Sequence, residues 1–317
     1  MANRGVEKRR KLFDLYSKHF ALVEKREIFV CPICHNGFTR EDCDGDNPHL
    51  SLAHLIPQEL GGTDSCCTLA CTECNNGVGT KLEAALVERW KADDFAAGMG
   101  TMRARLSGSF GEVNVEYELS HQQRSMSFYG LPKRSNPKHS AALHQYLTEM
   151  SKERAGEVNF SVTPAYRHQP HLVKAALYHS AYLVMFAHFG YYFVCHPHFA
   201  PLWERIAKPE EENWRSPMFV DDEVARGFLI RRRTAVVFLR EPVAILVLLR
   251  LQHTDRREKM QGQERVVAIA LPGLDSPELP TGRQSSLKGG IVPYCPERLL
   301  RKGSYLHAAW RQIQGKG

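Results

Sequence analysis

Four cysteines arranged as two Cys-x-x-Cys pairs constrain the folding of this chain more than any other sequence feature. The first pair is Cys31 and Cys34, and the second is Cys71 and Cys74. Each pair offers two thiolates from a tight turn, so the two turns together can supply the four ligands of a tetrahedral Zn²⁺. The chain must then fold so that the two turns meet. A disulfide pair or a redox-active dithiol is the alternative interpretation.

The rest of the composition favours the metal interpretation. Of the 317 residues, 43% are hydrophobic and 24% are charged, which excludes a wholly disordered, collagen-like or disulfide-scaffold chain. The N-terminal residues are charged and have no apolar centre typical of a signal peptide, so we expect a cytoplasmic protein. Cysteine pairs in a reducing compartment more often bind metal than form disulfides. The remaining cysteines are expected to be structural thiols, although one of the adjacent pair could replace a zinc ligand: Cys43, Cys66, Cys67, Cys195 and Cys295.

The net charge favours a polyanionic partner, and the hydropathy of the chain excludes a membrane-spanning segment. Lys and Arg number 42 against 35 Asp and Glu, a formal net charge of +7. The longest apolar stretch, residues 175–189, is shorter than the roughly 18 residues that a span requires, and His179, Ser180 and His188 interrupt it. Clusters of basic residues are predicted phosphate contacts, with solvated surface as the alternative. The residues that we predict to bind nucleic acid are Arg9, Arg10, Lys11, Arg231, Arg232 and Arg233.

Hydrophobic periodicity predicts an α+β chain of two parts. In the first part we expect a basic amphipathic helix over residues 4–23, strands at 28–30 and 50–54, and a helix over 80–97. The Gly- and Ser-rich residues 98–111 are predicted to be a linker. The predicted domains are therefore residues 1–100 and residues 101–317. The second domain has mixed helices and antiparallel strands, followed by an irregular tail from Pro272 onward.

The residues between the cysteine pairs resemble those of HNH endonucleases. The resemblance lies in Ala53-His54-Leu55-Ile56-Pro57, in the turn Gly61-Gly62, and in Cys74-Asn75-Asn76, and it covers roughly residues 28–85. It implies a ββα-metal module of treble-clef-like fold, with a structural zinc bound by Cys31, Cys34, Cys71 and Cys74. His54 matches the general base of that family, and Asn75 matches the residue that contacts the catalytic divalent ion, Mg²⁺, Mn²⁺ or Ni²⁺. Thr68 falls near the position of an asparagine that steadies the loop around the histidine.

One departure from the family pattern affects the expected metal site. Many relatives have an acidic residue or a histidine directly before the catalytic histidine, whereas this chain has Ala53, which cannot bind a metal. The carboxylates that could complete the coordination are Asp44, Asp46, Asp64 and Glu83.

The resemblance implies hydrolysis of DNA phosphodiester bonds, with double-stranded DNA as the expected partner. A phosphodiester is anionic, so its hydrolysis needs a base that deprotonates water and a cation that stabilises the leaving oxygen. A neutral imidazole can accept that proton. Two alternatives stay open. One is a zinc-dependent nucleic-acid-binding protein that has lost catalysis, and the other is a defence effector whose C-terminal domain senses a ligand or partner.

Overall fold

The chain divides by its contacts into two compact units. The structure is a computed structural model that describes residues 4–24, 27–45, 47–120, 125–152, 159–167, 169–208, 218–219, 229, 233–240, 243–255 and 260–272. Unit 1 comprises residues 1–86, 170–252 and 264–317, and unit 2 comprises residues 87–169 and 253–263. Unit 1 therefore draws on both of the predicted domains. The division into domains of residues 1–100 and residues 101–317 stays a prediction.

The predicted α+β class is confirmed, because the described residues combine helices with antiparallel sheets. Unit 1 joins an N-terminal hairpin module to a helical layer and a second sheet. Its helices are α1 (Arg4–Glu24), α2 (Thr72–Cys74), the first half of α3 (Thr80–Ala96), α5 (Pro170–Phe189), α6 (Tyr191–Val194) and α7 (Ala200–Ala207). Its strands are β1 (Phe29–Val30), β2 (Gly37–Phe38), β3 (Leu50–His54), β4 (Cys67–Cys71), β9 (Met218–Phe219), β10 (Thr234–Arg240), β11 (Val243–Leu251) and β14 (Arg265–Pro272).

Helix α5 lies in the centre of unit 1. Most of its side chains are buried around its whole circumference, as expected for a helix that is apolar on every face. It contacts β4 of the N-terminal hairpin and also β11 and β14 of the sheet ordered β10-β11-β14-β9. An aromatic cluster joins it to α1, β1 and α6, since the rings of Tyr16 and Phe186 stack at 4.5 Å and both contact Phe29 and Tyr191. Elements that are far apart in the sequence therefore share one core.

Unit 2 is a four-stranded antiparallel sheet with a helix and a short hairpin. The sheet has the order β7-β6-β5-β8. Its core includes Phe95 of α3, and aromatic rings of Tyr117 and Phe128 stack beside it. The elements of unit 2, besides the second half of α3, are β5 (Thr101–Gly108), β6 (Gly111–Ser120), β7 (Ser125–Gly130), α4 (Pro137–Lys152), β8 (Phe160–Pro164), β12 (Thr254–Asp255) and β13 (Met260–Gln261).

The predicted linker at residues 98–111 is wrong, because this segment forms β5 and the turn into β6. Thr101 to Gly108 pair with Gly111 to Glu118 in a regular antiparallel register. Ala104 and Leu106 are buried while Arg103 and Arg105 point to solvent, which is the alternation of a half-buried strand. Gly108 and Gly111 belong to the tight turn of this hairpin, where Gly111 has a φ of 90°, whereas Gly98 and Gly100 precede β5.

The structure also bears on the predicted tail and on membrane association. The tail predicted to be irregular falls in residues 273–317, outside the described residues. Within the part of the chain that the structure describes, no helix has the length and hydropathy to cross a bilayer.

Candidate functional site

The β3–β4 hairpin places the predicted site residues at its two ends. Its register pairs Leu50 with Cys71 at one end and His54 with Cys67 at the other. Cys71 leads directly into α2, because its sulfur accepts a hydrogen bond from the backbone N–H of Cys74 and so caps the helix start. A hairpin followed directly by a helix is the ββα arrangement that the resemblance implies.

The two Cys-x-x-Cys turns meet beside this hairpin. The sulfur atoms of Cys31, Cys34, Cys71 and Cys74 all lie within 4.8 Å of one another, and those of Cys34 and Cys71 are 3.7 Å apart. Two sulfurs bound at about 2.3 Å to one tetrahedral zinc stand roughly 3.8 Å apart, so the spacing fits a shared ion. The described cysteines are all free thiols, which agrees with metal binding rather than disulfides. The cluster can therefore hold one structural metal ion.

Hydrogen bonds among the thiols shift their pKa values in opposite directions, and they raise that of Cys74. Hydrogen bonding with Cys31 lowers the pKa of Cys34 and of Cys71, whereas burial raises the pKa of Cys31 itself. The thiolate is the form that binds zinc, and a divalent ion among the sulfurs favours loss of the remaining protons.

The first cysteine turn is held in place by two tyrosines far along the sequence. Tyr191 of α6 accepts a hydrogen bond from the N–H of Val30 at 2.8 Å and donates one to the carbonyl of the same residue at 2.6 Å. Tyr182 of α5 donates to the carbonyl of Pro32 at 2.6 Å. Both tyrosines are fully buried. These bonds fix the backbone on either side of Cys31, so the metal cluster depends on helices that follow the hairpin by more than a hundred residues.

His54 ends β3 at the edge of the site, with 21% of its side chain exposed. Its Nε2 lies 2.9 Å from the amide nitrogen of Gln58 and 3.4 Å from a carboxylate oxygen of Asp64. The preceding residue, Ala53, is 1% exposed and pairs with Thr68 in the sheet. A partly exposed imidazole beside a carboxylate is able to exchange protons with a bound water.

Asn75 lies where α2 continues into the π-helical turn Asn75–Gly79, directly after the last cysteine ligand. Its amide nitrogen donates to the hydroxyl of Ser51 at 3.1 Å and to the carbonyl of Leu52 at 3.3 Å. The amide nitrogen of Asn75 thus donates to two acceptors in β3. The amide oxygen is the end of the side chain that is able to contact a metal ion. This orientation suits the metal contact that the resemblance implies.

The other predicted site residues have different surroundings from those expected. The hydroxyl of Thr68 is completely buried and bonds that of Tyr16 in α1 at 2.8 Å, so it faces the core and not the loop around His54. Asp44 is held by Arg10, whose hydrogen bond lowers the pKa of the carboxyl. Burial raises the pKa of Glu83 to about 7. Asp46 lies outside the described residues.

The predicted phosphate contacts of α1 all have partners within the protein. Arg9 donates to the carbonyl of Cys43 at 2.8 Å, Arg10 forms a two-point ion pair with Asp44, and the ammonium of Lys11 lies 2.9 Å from Glu7. The first two residues thus hold α1 against the turn Arg40–Cys43. Arg231 and Arg232 lie outside the described residues.

Arg233 packs against the loop that follows His54. Its guanidinium lies over Gly61, where an added Cβ would stand 3.0 Å from the guanidinium carbon. Gly61 has a φ of 91°, a conformation that glycine adopts without strain. This contact was not expected from the sequence, from which Arg233 is predicted to contact phosphate, with solvated surface as the alternative.

Sequence reasoning missed Gln58, Tyr182 and Tyr191 as residues that support the site. Gln58 follows His54 by four residues and begins the turn Gln58–Leu60, and its amide nitrogen lies 2.9 Å from Nε2 of His54, so this spacing was an available signal. The two tyrosines had no local signal, because they act across separations of 150 and 161 residues.

Comparison with known proteins agrees with this arrangement. Residues 31–91 match the family model for HNH endonucleases. No curated protein and no solved structure matches the chain. The matched segment includes both cysteine turns, the β3–β4 hairpin and most of α3. The resemblance seen in the sequence is thus confirmed for residues 31–91, which are similar to the HNH endonuclease family and so suggest a nuclease-type function.

Proposed function

We propose that this protein is a metal-dependent endonuclease that hydrolyses DNA phosphodiester bonds with His54 as the general base. The observation that supports this most is the placement of His54 at the loop end of the β3–β4 hairpin, within the segment that matches the HNH family. The imidazole is partly exposed, and its two described contacts use only Nε2. Its other nitrogen is thus available for a proton from water.

In the proposed reaction, His54 takes a proton from a water molecule as the water oxygen forms a bond to phosphorus. The bond from phosphorus to the leaving 3′ oxygen then breaks, and that oxygen finally receives a proton. A divalent ion, when bound, supplies positive charge that stabilises the leaving oxygen. Among this chain's residues, we propose that the amide oxygen of Asn75 contacts the ion, since the amide nitrogen already donates to Ser51 and Leu52.

The four cysteines are proposed to bind zinc in a purely structural role. A cluster of four thiolates is closed to further ligands, and its metal affinity is coupled to folding. We expect about one zinc per chain by elemental analysis of the purified protein. Cys74→Ser should lower zinc content and thermal stability together, whereas Cys43→Ser, which changes a cysteine outside the cluster, should leave the zinc content unchanged. Unchanged zinc in Cys74→Ser would contradict this ligand assignment.

Cleavage of supercoiled plasmid by the full chain tests the proposed activity. Nicking should require Mg²⁺, Mn²⁺ or Ni²⁺ and should stop on addition of EDTA. His54→Ala should reduce the rate by about 10²–10⁴-fold, the usual contribution of a positioned general base, with zinc content and DNA binding nearly intact. His198→Ala serves as a matched control, because His198 is also partly exposed but lies outside the matched segment. A wild-type rate in His54→Ala would exclude this mechanism.

A second candidate function rests on Ala53. Its methyl group is buried against β4 and offers no ligand next to His54, which is compatible with a nucleic-acid-binding protein that has lost catalysis. That protein would bind duplex DNA and retain zinc, but it would leave plasmid and RNA intact with every divalent ion tested. Nicking that depends on His54 excludes it.

A further inference from the structure

Two side chains with opposite hydrogen-bonding character meet at one nitrogen of His54. The amide nitrogen of Gln58 is 2.9 Å from Nε2, and a carboxylate oxygen of Asp64 is 3.4 Å from it. The same amide nitrogen also donates to that oxygen of Asp64 at 3.4 Å. An amide N–H can only donate to Nε2, whereas a carboxylate can only accept from it. The two neighbours therefore favour different positions of the imidazole proton.

The backbone of the loop at residues 55–66 fixes this meeting point. The N–H of Leu55 donates to the carbonyl of Cys66 at 3.0 Å, which closes the loop at its base. Within the loop, the N–H of Gly62 donates to the carbonyl of Pro57 at 3.0 Å, and a Cβ at Gly62 would overlap the carbonyl of Ile56. The loop is thus too tight for a larger residue at this position. Gln58 and Asp64 are held on its two sides.

Residues next to strands β10 and β11 also contact this loop. The N–H of Gln252 donates to the carbonyl of Leu60 at 3.1 Å, and the guanidinium of Arg233 covers Gly61. Next to Asp64, the thiol of Cys67 donates to its carbonyl at 3.4 Å. Hydrogen bonds to the carbonyl of Asp64 and to its loop therefore fix the backbone of Asp64. Its side chain is 86% exposed.

Only one imidazole tautomer suits the reaction proposed above. A neutral imidazole carries one proton, on Nδ1 or on Nε2. If Gln58 donates to Nε2, the proton sits on Nδ1 and neither nitrogen has a lone pair for water. If Nε2–H donates to Asp64, Nδ1 keeps its lone pair. At equal length a hydrogen bond to a carboxylate is charge-assisted and roughly twice as strong as one between neutral groups. We therefore expect Asp64 to outweigh Gln58, although its oxygen lies 3.4 Å from Nε2 and the Gln58 nitrogen lies 2.9 Å from it.

From this geometry we infer that Asp64 is a positioning residue that draws the imidazole proton of His54 to Nε2, and that Gln58 opposes it by favouring the other tautomer. The inference rests on the proposed role of His54 as the base. Nδ1 then accepts the proton that water loses, and the resulting imidazolium carries a proton on each nitrogen. The negative charge of Asp64 beside Nε2–H stabilises that cation while the hydroxide attacks phosphorus.

The tautomer of His54 can be measured directly. In ¹⁵N-histidine-labelled, zinc-loaded full-length protein above neutral pH, two-bond ¹H–¹⁵N correlation spectra distinguish the two tautomers, and His54→Ala assigns the signal. We expect the Nε2–H form to predominate in the wild type, to lose population in Asp64→Asn and Asp64→Ala, and to gain population in Gln58→Ala. Asp14→Asn removes an equal charge from an ion pair with Arg40 and should change nothing. A wild type mostly in the Nδ1–H form, or an unchanged tautomer in both Asp64 variants, would overturn the inference.

Cleavage kinetics provide a second, separate readout. Asp64→Asn should lower kcat by about 10–100-fold, the usual effect of removing a partner that orients a reacting histidine, with KM for DNA unchanged. Gln58→Ala should keep or raise kcat, which a purely structural role of Gln58 would not produce. A wild-type kcat in Asp64→Asn would overturn the inference. If the wild-type protein cleaves nothing, the proposed function fails, and the tautomer spectra still decide whether Asp64 controls His54.

Discussion

Ala53 and His54 are neighbours in β3 with opposite surroundings. Alternation along the strand turns the Ala53 methyl group into the core, where it is 1% exposed, while the His54 side chain is 21% exposed. A carboxylate at position 53 would therefore start from a buried site. It could remain charged there only beside a cation.

Ala53→Asp tests whether a catalytic ion is within reach of this position. In EDTA the variant should unfold at a lower temperature than the wild type, because it buries an unpaired carboxylate. Mn²⁺ should recover its melting temperature by more than it raises that of the wild type, since the added oxygen binds the ion only in the folded state. The variant should also need less Mn²⁺ for cleavage. Equal Mn²⁺ effects in both proteins would show that another residue already occupies that coordination position.

The most specific residues of the site were predictable from sequence, and their supporting partners were only partly so. The cysteine pairs have a spacing that few other functions require, and the strand ending at His54 shows in the local pattern Leu50-Ser51-Leu52-Ala53-His54. Thr68 shows where this reasoning stops. Its hydroxyl has a partner, Tyr16, that lies 52 residues away and is invisible to any local pattern.

Glu83 predicts a specific pH dependence of stability. Burial raises its pKa from 4.5 to about 7, so the folded chain holds this proton more tightly than the unfolded chain. The associated stability is present below the unfolded pKa and is lost as pH rises to about 7. Glu83→Gln does not titrate and so avoids that loss. The unfolding free energy of the variant minus that of the wild type should therefore increase by about 2–3 kcal/mol between about pH 5 and about pH 8. Urea titrations at both pH values measure it.

Glu88→Gln is the control for that experiment, because Glu88 is an exposed residue of the same helix. Its difference from the wild type should stay constant over this pH range. If Glu83→Gln shows the same constant difference, the carboxyl of Glu83 is not protonated preferentially in the folded protein.

At the scale of elements, the sheet of unit 2 shows how composition can mislead. Gly98, Gly100, Gly108 and Gly111 give residues 98–111 the composition of a linker. The strand within it is recognisable only from alternation, since Ala104 and Leu106 face the core between exposed arginines. Small apolar residues give a weak hydrophobic signal, and the packing that stabilises them comes from Phe95 and Tyr117 in other elements. Tertiary contacts thus outweigh local propensity here.

The β12–β13 hairpin of unit 2 requires a glycine at position 262. The N–H of Gly262 donates to the carbonyl of His253 at 2.8 Å, which closes the β12–β13 hairpin. Asp94 of α3 accepts a hydrogen bond from the N–H of Gln263 at 3.2 Å, and a Cβ at Gly262 would overlap its carboxylate. Asp94 itself is only 2% exposed. Only a residue without a side chain allows this approach.

The hydrogen bonds between Tyr191 of α6 and Val30 of β1 predict that removal of the Tyr191 hydroxyl destabilises the protein. Tyr191→Phe keeps the ring in the aromatic cluster but leaves the N–H and the carbonyl of Val30 without their partner. Buried groups without a hydrogen bond cost about 1–3 kcal/mol, so unfolding free energy should fall by about that amount. Zinc should also be lost to a chelator faster, because Val30 precedes Cys31.

Tyr129→Phe is a matched control, since that tyrosine is 50% exposed and its hydroxyl donates to the side chain of Glu118. It should change stability little. Equal stability of Tyr191→Phe and the wild type would mean that water replaces the lost hydroxyl.

At the scale of the whole molecule, the segment similar to HNH endonucleases shares unit 1 with later parts of the chain. Helix α5 and the sheet that contains β11 contact β4 and the loop after His54. The patterns of α1, β3 and α3 were readable from sequence, but the assembly was not, because partners so far apart leave no joint periodicity. The boundary predicted near residue 100 reflects composition, whereas the contacts divide the chain after Leu86.

The basic cluster at residues 231–233 predicts how duplex binding depends on salt. If Arg231 and Arg232 each contact one phosphate, changing both to Glu should reduce the slope of log affinity against log salt by about two units, since about 0.9 counterion is released per contact. Arg233 is left unchanged because it packs on Gly61. Fluorescence anisotropy with a labelled duplex at several salt concentrations measures the slope.

Arg205→Glu with Lys208→Glu makes an equal change in net charge at the end of α7 and serves as the control. It should lower affinity less and keep the slope. A double variant of Arg231 and Arg232 with the wild-type slope would assign that cluster to ordinary solvated surface.

The bonds from Tyr191 to Val30 have a consequence for the order of events during biosynthesis. The two residues are 161 positions apart, and a ribosome adds about 5–20 residues per second. The first cysteine turn therefore waits about 10–30 s after its own synthesis before the hydroxyl that braces it leaves the ribosome. For most of that interval all four zinc-binding thiols are already translated but lack their final support. We expect the nascent chain to acquire its metal late, and to need a reducing environment and free zinc until α6 has emerged.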